Sequence, residues 1–273
     1  MGDVQYEVVD VHSHLTDSDF EKDISDVISA AQKRGVIAAL VVSIGKDDFP
    51  KVIELNKRFP DFVVPCLGIH PVQGHGDNQR SVTLQDLEGV VDMIEEYKEI
   101  LAGIGEVGLD FSPRFVKSDG SKDEQRQVLT KQIEIADRLG LPINVHSRSA
   151  GRPTITLLKE LGVKRAHLHA FDGRPSVAME GVREGYYFSI PPSIIRSEQK
   201  QKLVTQIPLD NLLLETDSPA LGPVKQEKNV PANLDIVVDY IAKIKKVDPS
   251  EVRRITTQNA IKLYPKLARF LVK

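Results

Sequence analysis

The chain of 273 residues has a single cysteine, no tryptophan and only 5% aromatic residues. One thiol, Cys66, cannot close an internal disulfide, which excludes a cross-linked secreted scaffold and fits a reducing compartment. It lies in Val63-Val64-Pro65-Cys66-Leu67, the setting of a buried thiol and not of a nucleophile. No apolar stretch approaches the roughly 20 residues of a membrane helix, and the polar N-terminus lacks the features of a signal peptide. Met1-Gly2 opens like a myristoylation site, but Tyr6 stands where that signal needs Ser or Thr. Charge of one sign is also missing. A formal net charge of −3 and a pI near 6.2 exclude a protein that coats nucleic acid by bulk electrostatics, though not a local basic rim. Together these absences predict a soluble, enzyme-sized protein of the cytoplasm or nucleus, without membrane contact.

What the chain does have is a core: 41% hydrophobic and 27% charged residues are ordinary globular values. Apolar, β-branched runs alternate with amphipathic segments throughout. Strands are predicted at Val8–His14, Val36–Ser43, Phe62–His70, Ile100–Val107, Pro142–His146, Arg165–His169, Tyr186–Ile190 and Leu212–Asp217. Helices are predicted between them at Phe20–Arg34, Phe49–Phe59, Val82–Lys98, Glu124–Leu139, Thr154–Leu161, Ser176–Arg183 and Glu198–Gln206. Ala232–Lys246 and Pro249–Leu263 complete the pattern. Eight βα units without a linker predict one domain over residues 1–273, an α/β fold of the (β/α)8 TIM-barrel kind. An open doubly wound sheet is the structural alternative.

Chemistry in such barrels collects at the C-terminal ends of the strands. In Asp10-Val11-His12-Ser13-His14, alternation along a strand points Asp10, His12 and His14 the same way, and two imidazoles so spaced can chelate one divalent ion. Later strand ends supply His70, Glu106, His146, His169 and Asp217. Five of the seven histidines fall in this set; His75 and His167 read as structural. Four histidines and two carboxylates exceed the needs of one tetrahedral ion, and Glu106 can bridge two through its two oxygens. Two ions so placed clamp the attacking and leaving oxygens of a phosphodiester. Gly103–Gly108 also spells G-x-G-x-x-G, but Leu109-Asp110-Phe111-Ser112-Pro113 follows where a nucleotide site needs a helix, so the nucleotide site is rejected. Those glycines are expected to let the backbone approach the metal carboxylate.

With these residues in place the chain resembles the TatD family of metal-dependent deoxyribonucleases, among the amidohydrolase-like barrels. The match rests on Asp10–His14, Gly68-Ile69-His70-Pro71, Gly105-Glu106-Val107-Gly108-Leu109-Asp110, His146-Ser147-Arg148 and Glu215-Thr216-Asp217-Ser218-Pro219, and covers essentially the whole chain. Details such as His169-Ala170-Phe171-Asp172-Gly173-Arg174-Pro175 look like an animal branch of that family. The resemblance implies His12, His14, Glu106, His146, His169 and Asp217 as ligands of two divalent ions (Zn, Mg or Mn), with His70 a non-ligand in the site. It implies hydrolysis of DNA, as a 3′→5′ exonuclease on single-stranded ends. Asp217 is then both ligand and general base, Glu106 the bridge, and His70 and Arg148 contacts of the scissile phosphate. Arg114, Arg174 and Lys228 would hold flanking phosphates. Val72, Asp172 and Lys228-Asn229-Val230-Pro231 depart from common family patterns and touch the pocket rim, not the metal set. The rival within enzymes is an amidohydrolase or lactonase acting on a small molecule, since the same metals can polarise a carbonyl. The sequence leaves the oligomeric state open, and a monomer is compatible with it.

Overall fold

The structure is a computed structural model that describes residues 7–271; Met1, Gly2 and Tyr6, on which the myristoylation reading turned, lie outside them. Its frame is eight parallel strands that neighbour one another in chain order. They are β1 (Val8–Ser13), β2 (Val36–Val42), β3 (Val63–Leu67), β4 (Gly103–Gly108), β5 (Ile143–His146), β6 (Ala166–Leu168), β7 (Tyr187–Ile190) and β8 (Leu212–Leu214). β1 and β8 meet through Asp217 N–H donating to His12 O (2.9 Å) and His14 N–H to Ser218 O (2.7 Å). Asp10 Oδ1 accepts from Thr216 N–H (2.9 Å) at the same seam. That closure makes the sheet a (β/α)8 barrel and excludes the open doubly wound alternative.

The outer helices are α1 (Ile24–Lys33), α2 (Phe49–Arg58), α3 (Val90–Tyr97), α4 (Asp119–Leu139), α5 (Gly151–Glu160), α6 (Pro175–Arg183), α7 (Glu198–Gln206), α8 (Leu234–Lys245) and α9 (Pro249–Leu263). Their apolar stripes cover the outward faces of the strands. Each fully buried Leu, Ile or Val there contributes roughly 1.5–3 kcal/mol. A second cluster packs α9 and the turn Pro265–Phe270 against Val9, Leu40, Val64 and Cys66. Burial pushes the Cys66 thiol up to about 12, so it stays protonated, as a packing residue should.

Two departures from the expected elements have local causes. The expected helix Val82–Lys98 is divided: a 3-10 turn (Leu84–Leu87) precedes α3, and Gly89 between them sits at φ 74, outside the helical region. The last strand stops at Leu214, not Asp217, and Asp217 itself takes φ 55, which no strand accommodates. Its side chain is thereby turned into the mouth of the barrel. A short hairpin, Val72–Gln73 with Arg80–Ser81, went unforeseen and shapes the rim after β3.

Candidate active site

Two groups of donor atoms converge at the C-terminal mouth of the barrel. In the first, His12 Nε2 and His14 Nε2 lie 3.3 Å apart. Glu106 Oε2 is 3.5 and 3.4 Å from them, and Asp217 Oδ1 3.5 and 3.3 Å. Around a tetrahedral cation with bonds of about 2.0–2.1 Å, neighbouring donors sit about 3.3–3.4 Å apart. His12, His14 and Glu106 therefore have the spacing of three donors around one cation, with Asp217 beside both rings. In the second, Glu106 Oε1 is 2.7 Å from both His146 Nδ1 and His169 Nε2, which are 3.2 Å from each other. These short contacts are charge-assisted hydrogen bonds, whose protons a cation would displace from the same converging donors. Glu106 thus gives one oxygen to each group.

His70 sits closer to this machinery than its expected place outside the ligands. Its Nε2 is 3.2 Å from His146 Nδ1 and 3.5 Å from Glu106 Oε1. Val72 brings both its N–H (2.9 Å) and its carbonyl (3.0 Å) to Nδ1, so the backbone leaves either tautomer open. His75 is exposed in the hairpin loop, away from the cluster.

Residues outside the expected set hold the rings in place. Asn144 Oδ1 accepts from His12 Nδ1 (2.9 Å) while its amide donates to Val11 O (3.0 Å). That fixes the His12 tautomer with the Nε2 lone pair aimed at the first group. Asp110 Oδ2 accepts from His146 Nε2 (3.1 Å), with the same effect on Nδ1. Asp10 does not join His12 and His14. It accepts from the Thr216 N–H and hydroxyl, and burial pushes it up to about 7. Beneath the site the Tyr264 hydroxyl meets His167 Nδ1, His167 Nε2 meets Ser189 Oγ, and Ser189 donates to Glu215. Glu215 Oε2 in turn lies 3.6 Å from His169 Nδ1.

Charge explains how so many titratable groups share a dry space. Burial opposes ionisation of Glu106, yet the His169, His70 and His12 rings hold its carboxyl well below the usual range. Asp217 is likewise held low against burial, by His12 and His14. In return Glu106 and Asp217 lift His12 well above its ordinary value, and Asp217 and Glu106 lift His14 to about 9, in both rings against burial. Without metal, ionised Glu106 and Asp217 sit beside protonated His12 and His14. The donor chemistry fits divalent cations, because buried carboxylates and neutral imidazoles are their ligands once protons leave.

The glycines of Gly103–Gly108 serve a close approach of two strands. A Cβ on Gly108, whose φ is 151, would meet His146 O at 2.0 Å, and one on Gly105 would meet Asn144 Cβ at 2.6 Å. They let β4 lie against β5, which carries His146. Of the expected phosphate contacts, Arg148 is exposed and lines a cavity of 210 Å³ beside His146 and His169. Arg174 is exposed at the start of α6, and Arg114 is exposed with its guanidinium donating to Gly76 O (3.3 Å). Lys228 is engaged elsewhere: its ammonium donates to Asp23 (2.7 Å) and to Asp19 O (3.0 Å), tying its loop to the segment before α1.

A (β/α)8 barrel with histidine and carboxylate donors gathered at its C-terminal mouth defines a metal-dependent hydrolase. The family profile described as TatD related DNase matches residues 9–265. Deoxyribonuclease TATDN3 of Homo sapiens is 58% identical over 267 residues, 97% of either chain. The metal-dependent hydrolase YabD of Bacillus subtilis is 31% identical over 93% of this chain and 98% of its own. Among solved structures, the TatD homologue YJJV of Escherichia coli superposes with a TM-score of 0.83 at 24% identity, covering 96% of this chain and 99% of that one. The chain belongs to the TatD-related DNase family.

Proposed function

We propose that this enzyme hydrolyses DNA phosphodiester bonds at single-stranded ends, with 3′→5′ polarity, using two divalent cations (Zn, Mn or Mg). The observation that supports a pair of ions is the division of Glu106, Oε2 to one donor group and Oε1 to the other. His12, His14 and Asp217 would hold the first ion, His146 and His169 the second, and Glu106 both. Bound there, such ions supply Lewis acidity toward the phosphoryl oxygens and lower the pKa of water. Asp217 stays ionised, positioned to take a proton from the attacking water. His70, at the edge of the second group, and Arg148, at the lip, face the place where charge develops on the phosphate. Arg174 and Arg114 carry flanking phosphates, whereas Lys228 contributes by tethering its loop.

The test is purified protein with each metal in turn, assayed on end-labelled single- and double-stranded DNA, RNA and a panel of esters and lactones. Stepwise shortening of single strands from the 3′ end is the expected result. Turnover of an ester or lactone in place of DNA would establish the small-molecule reading instead. Arg148→Ala and Arg174→Ala should weaken binding equally for different base sequences and each flatten its salt dependence by about one unit of slope.

A further inference from the structure

The 210 Å³ cavity beside His146 and His169 has a floor that the mechanism above does not use. Lys200, in the first turn of α7, reaches into it and is only 7% exposed. An ammonium has three donors, and among the described residues the only bond it makes is to Ala170 O (3.1 Å). No carboxylate lies within ion-pair distance of it among the described residues, although Asp172 lines the same cavity from its exposed lip. Ser147 lines the same cavity, is 2% exposed, and its hydroxyl has no hydrogen-bond partner among the described residues. A buried lysine with donors to spare and a buried hydroxyl with none satisfied are costly unless water or a ligand completes them, and an anion would complete both at once. The positive end of α7 adds to the potential there, which is unfavourable for a lysine and favourable for an anion.

We infer that Lys200 and Ser147 form an anion subsite that holds a nonbridging oxygen of the substrate phosphate next to the metal centre. The chemistry is that of a charge-assisted N–H···O bond reinforced by an O–H···O bond, from two groups buried at the floor of the cavity. This subsite rests on the phosphodiesterase reading for its substrate, but its ligand chemistry can be probed without turnover.

The probe is inorganic phosphate, titrated calorimetrically into metal-loaded wild type, Lys200→Met and Ser147→Ala, with metal content measured on each. DNA cleavage is followed in parallel. Lys200→Met should keep wild-type metal content and bind phosphate about 10- to 100-fold more weakly, with kcat/KM on DNA reduced in proportion. Ser147→Ala should lose about threefold to tenfold. Phosphate affinity within twofold of wild type in Lys200→Met overturns the subsite. So does loss of metal in that variant, which would mean Lys200 acts by bracing the His169-Ala170 turn. If Lys200→Met does not fold, Ser147→Ala decides in the same way. A wild type inert on DNA whose phosphate binding still depends on Lys200 would refute the proposed function and leave the subsite standing.

Discussion

Changing Glu106→Gln should convert a two-ion protein into a one-ion protein. The side chain is 2% exposed and gives its two oxygens to different donor groups, at 3.4 Å from His14 Nε2 and 2.7 Å from His146 Nδ1. An amide of nearly the same shape keeps one acceptor oxygen and replaces the other with an NH2, which cannot ligate a cation. The negative charge between the two ions also disappears, leaving Asp217 as the one carboxylate among the proposed ligands. Loss of a partner that merely orients a ligand costs about 10- to 100-fold in metal affinity. Loss of a shared direct donor should cost the weaker ion at least about 100-fold, or about 2.7 kcal/mol. The assay is elemental analysis after dialysis against fixed free metal, with calorimetry to separate two binding steps. Expected are two ions per wild-type chain and one per Glu106→Gln chain, with the thermal transition of the metal-free variant still cooperative. Two ions retained at near-wild-type affinity would refute the bridge.

Asp217→Asn keeps a ligand oxygen but cannot accept a proton, so metal content should hold better than in Glu106→Gln while the rate on labelled DNA falls by about 10²–10⁴-fold. His70→Ala separates two roles: as a phosphate contact it should lower kcat/KM by at least about 10-fold with both ions retained, and loss of an ion in elemental analysis would make it a ligand. Metal uptake should strengthen as pH rises from His14's ordinary value of 6.5 to about 9, because cations compete there with its proton; calorimetry in buffers of different ionisation heat should show proton release. In the metal-free protein the sign reverses. Stability from the raised histidines is full below about 6.5 and is lost as pH rises through the folded value of His14 near 9. That from the depressed carboxylates is present above their ordinary range near 4 and is lost as pH falls, so denaturant midpoints of the metal-free protein should peak between about pH 4 and 6.5.

The barrel was legible because buried parallel strands read as near-continuous apolar runs, as in Val36–Val42, and because helix ends such as Leu139-Gly140 carry their own stop signals. The positions of His12, His14, Glu106, His146, His169 and Asp217 were legible for a related reason: a strand end is a fixed address in a barrel. What could not be read is where long side chains finish. Lys228 looks like a rim cation and is held by Asp23; Lys200 looks like one more polar residue in a charged helix and lies under the cavity. A flexible four-carbon stem carries its charge several ångströms from the backbone, so sequence position says little about its destination. The division of the expected third helix at Gly89 was missed because an isolated glycine in an amphipathic run reads as a tolerated weak spot until its backbone is seen at positive φ.

One pattern joins the site to the fold beneath it. On several strands a polar residue stands two positions before the donor: Asp10 before His12, Asn144 before His146, His167 before His169 and Glu215 before Asp217. Each of these deeper residues attends to another strand. Asn144 on β5 fixes His12 on β1, Asp10 on β1 holds Thr216 beyond β8, and Glu215 beyond β8 faces His169 after β6. His167 on β6 links Tyr264, after α9, to Ser189 on β7. A layer of apolar side chains would fill the same space at less desolvation cost, but it could not set imidazole tautomers. Cross-strand polar partners tie donors from five strands into one set. Held this way, donors from the ends of β1, β4, β5, β6 and β8 meet within hydrogen-bond distance.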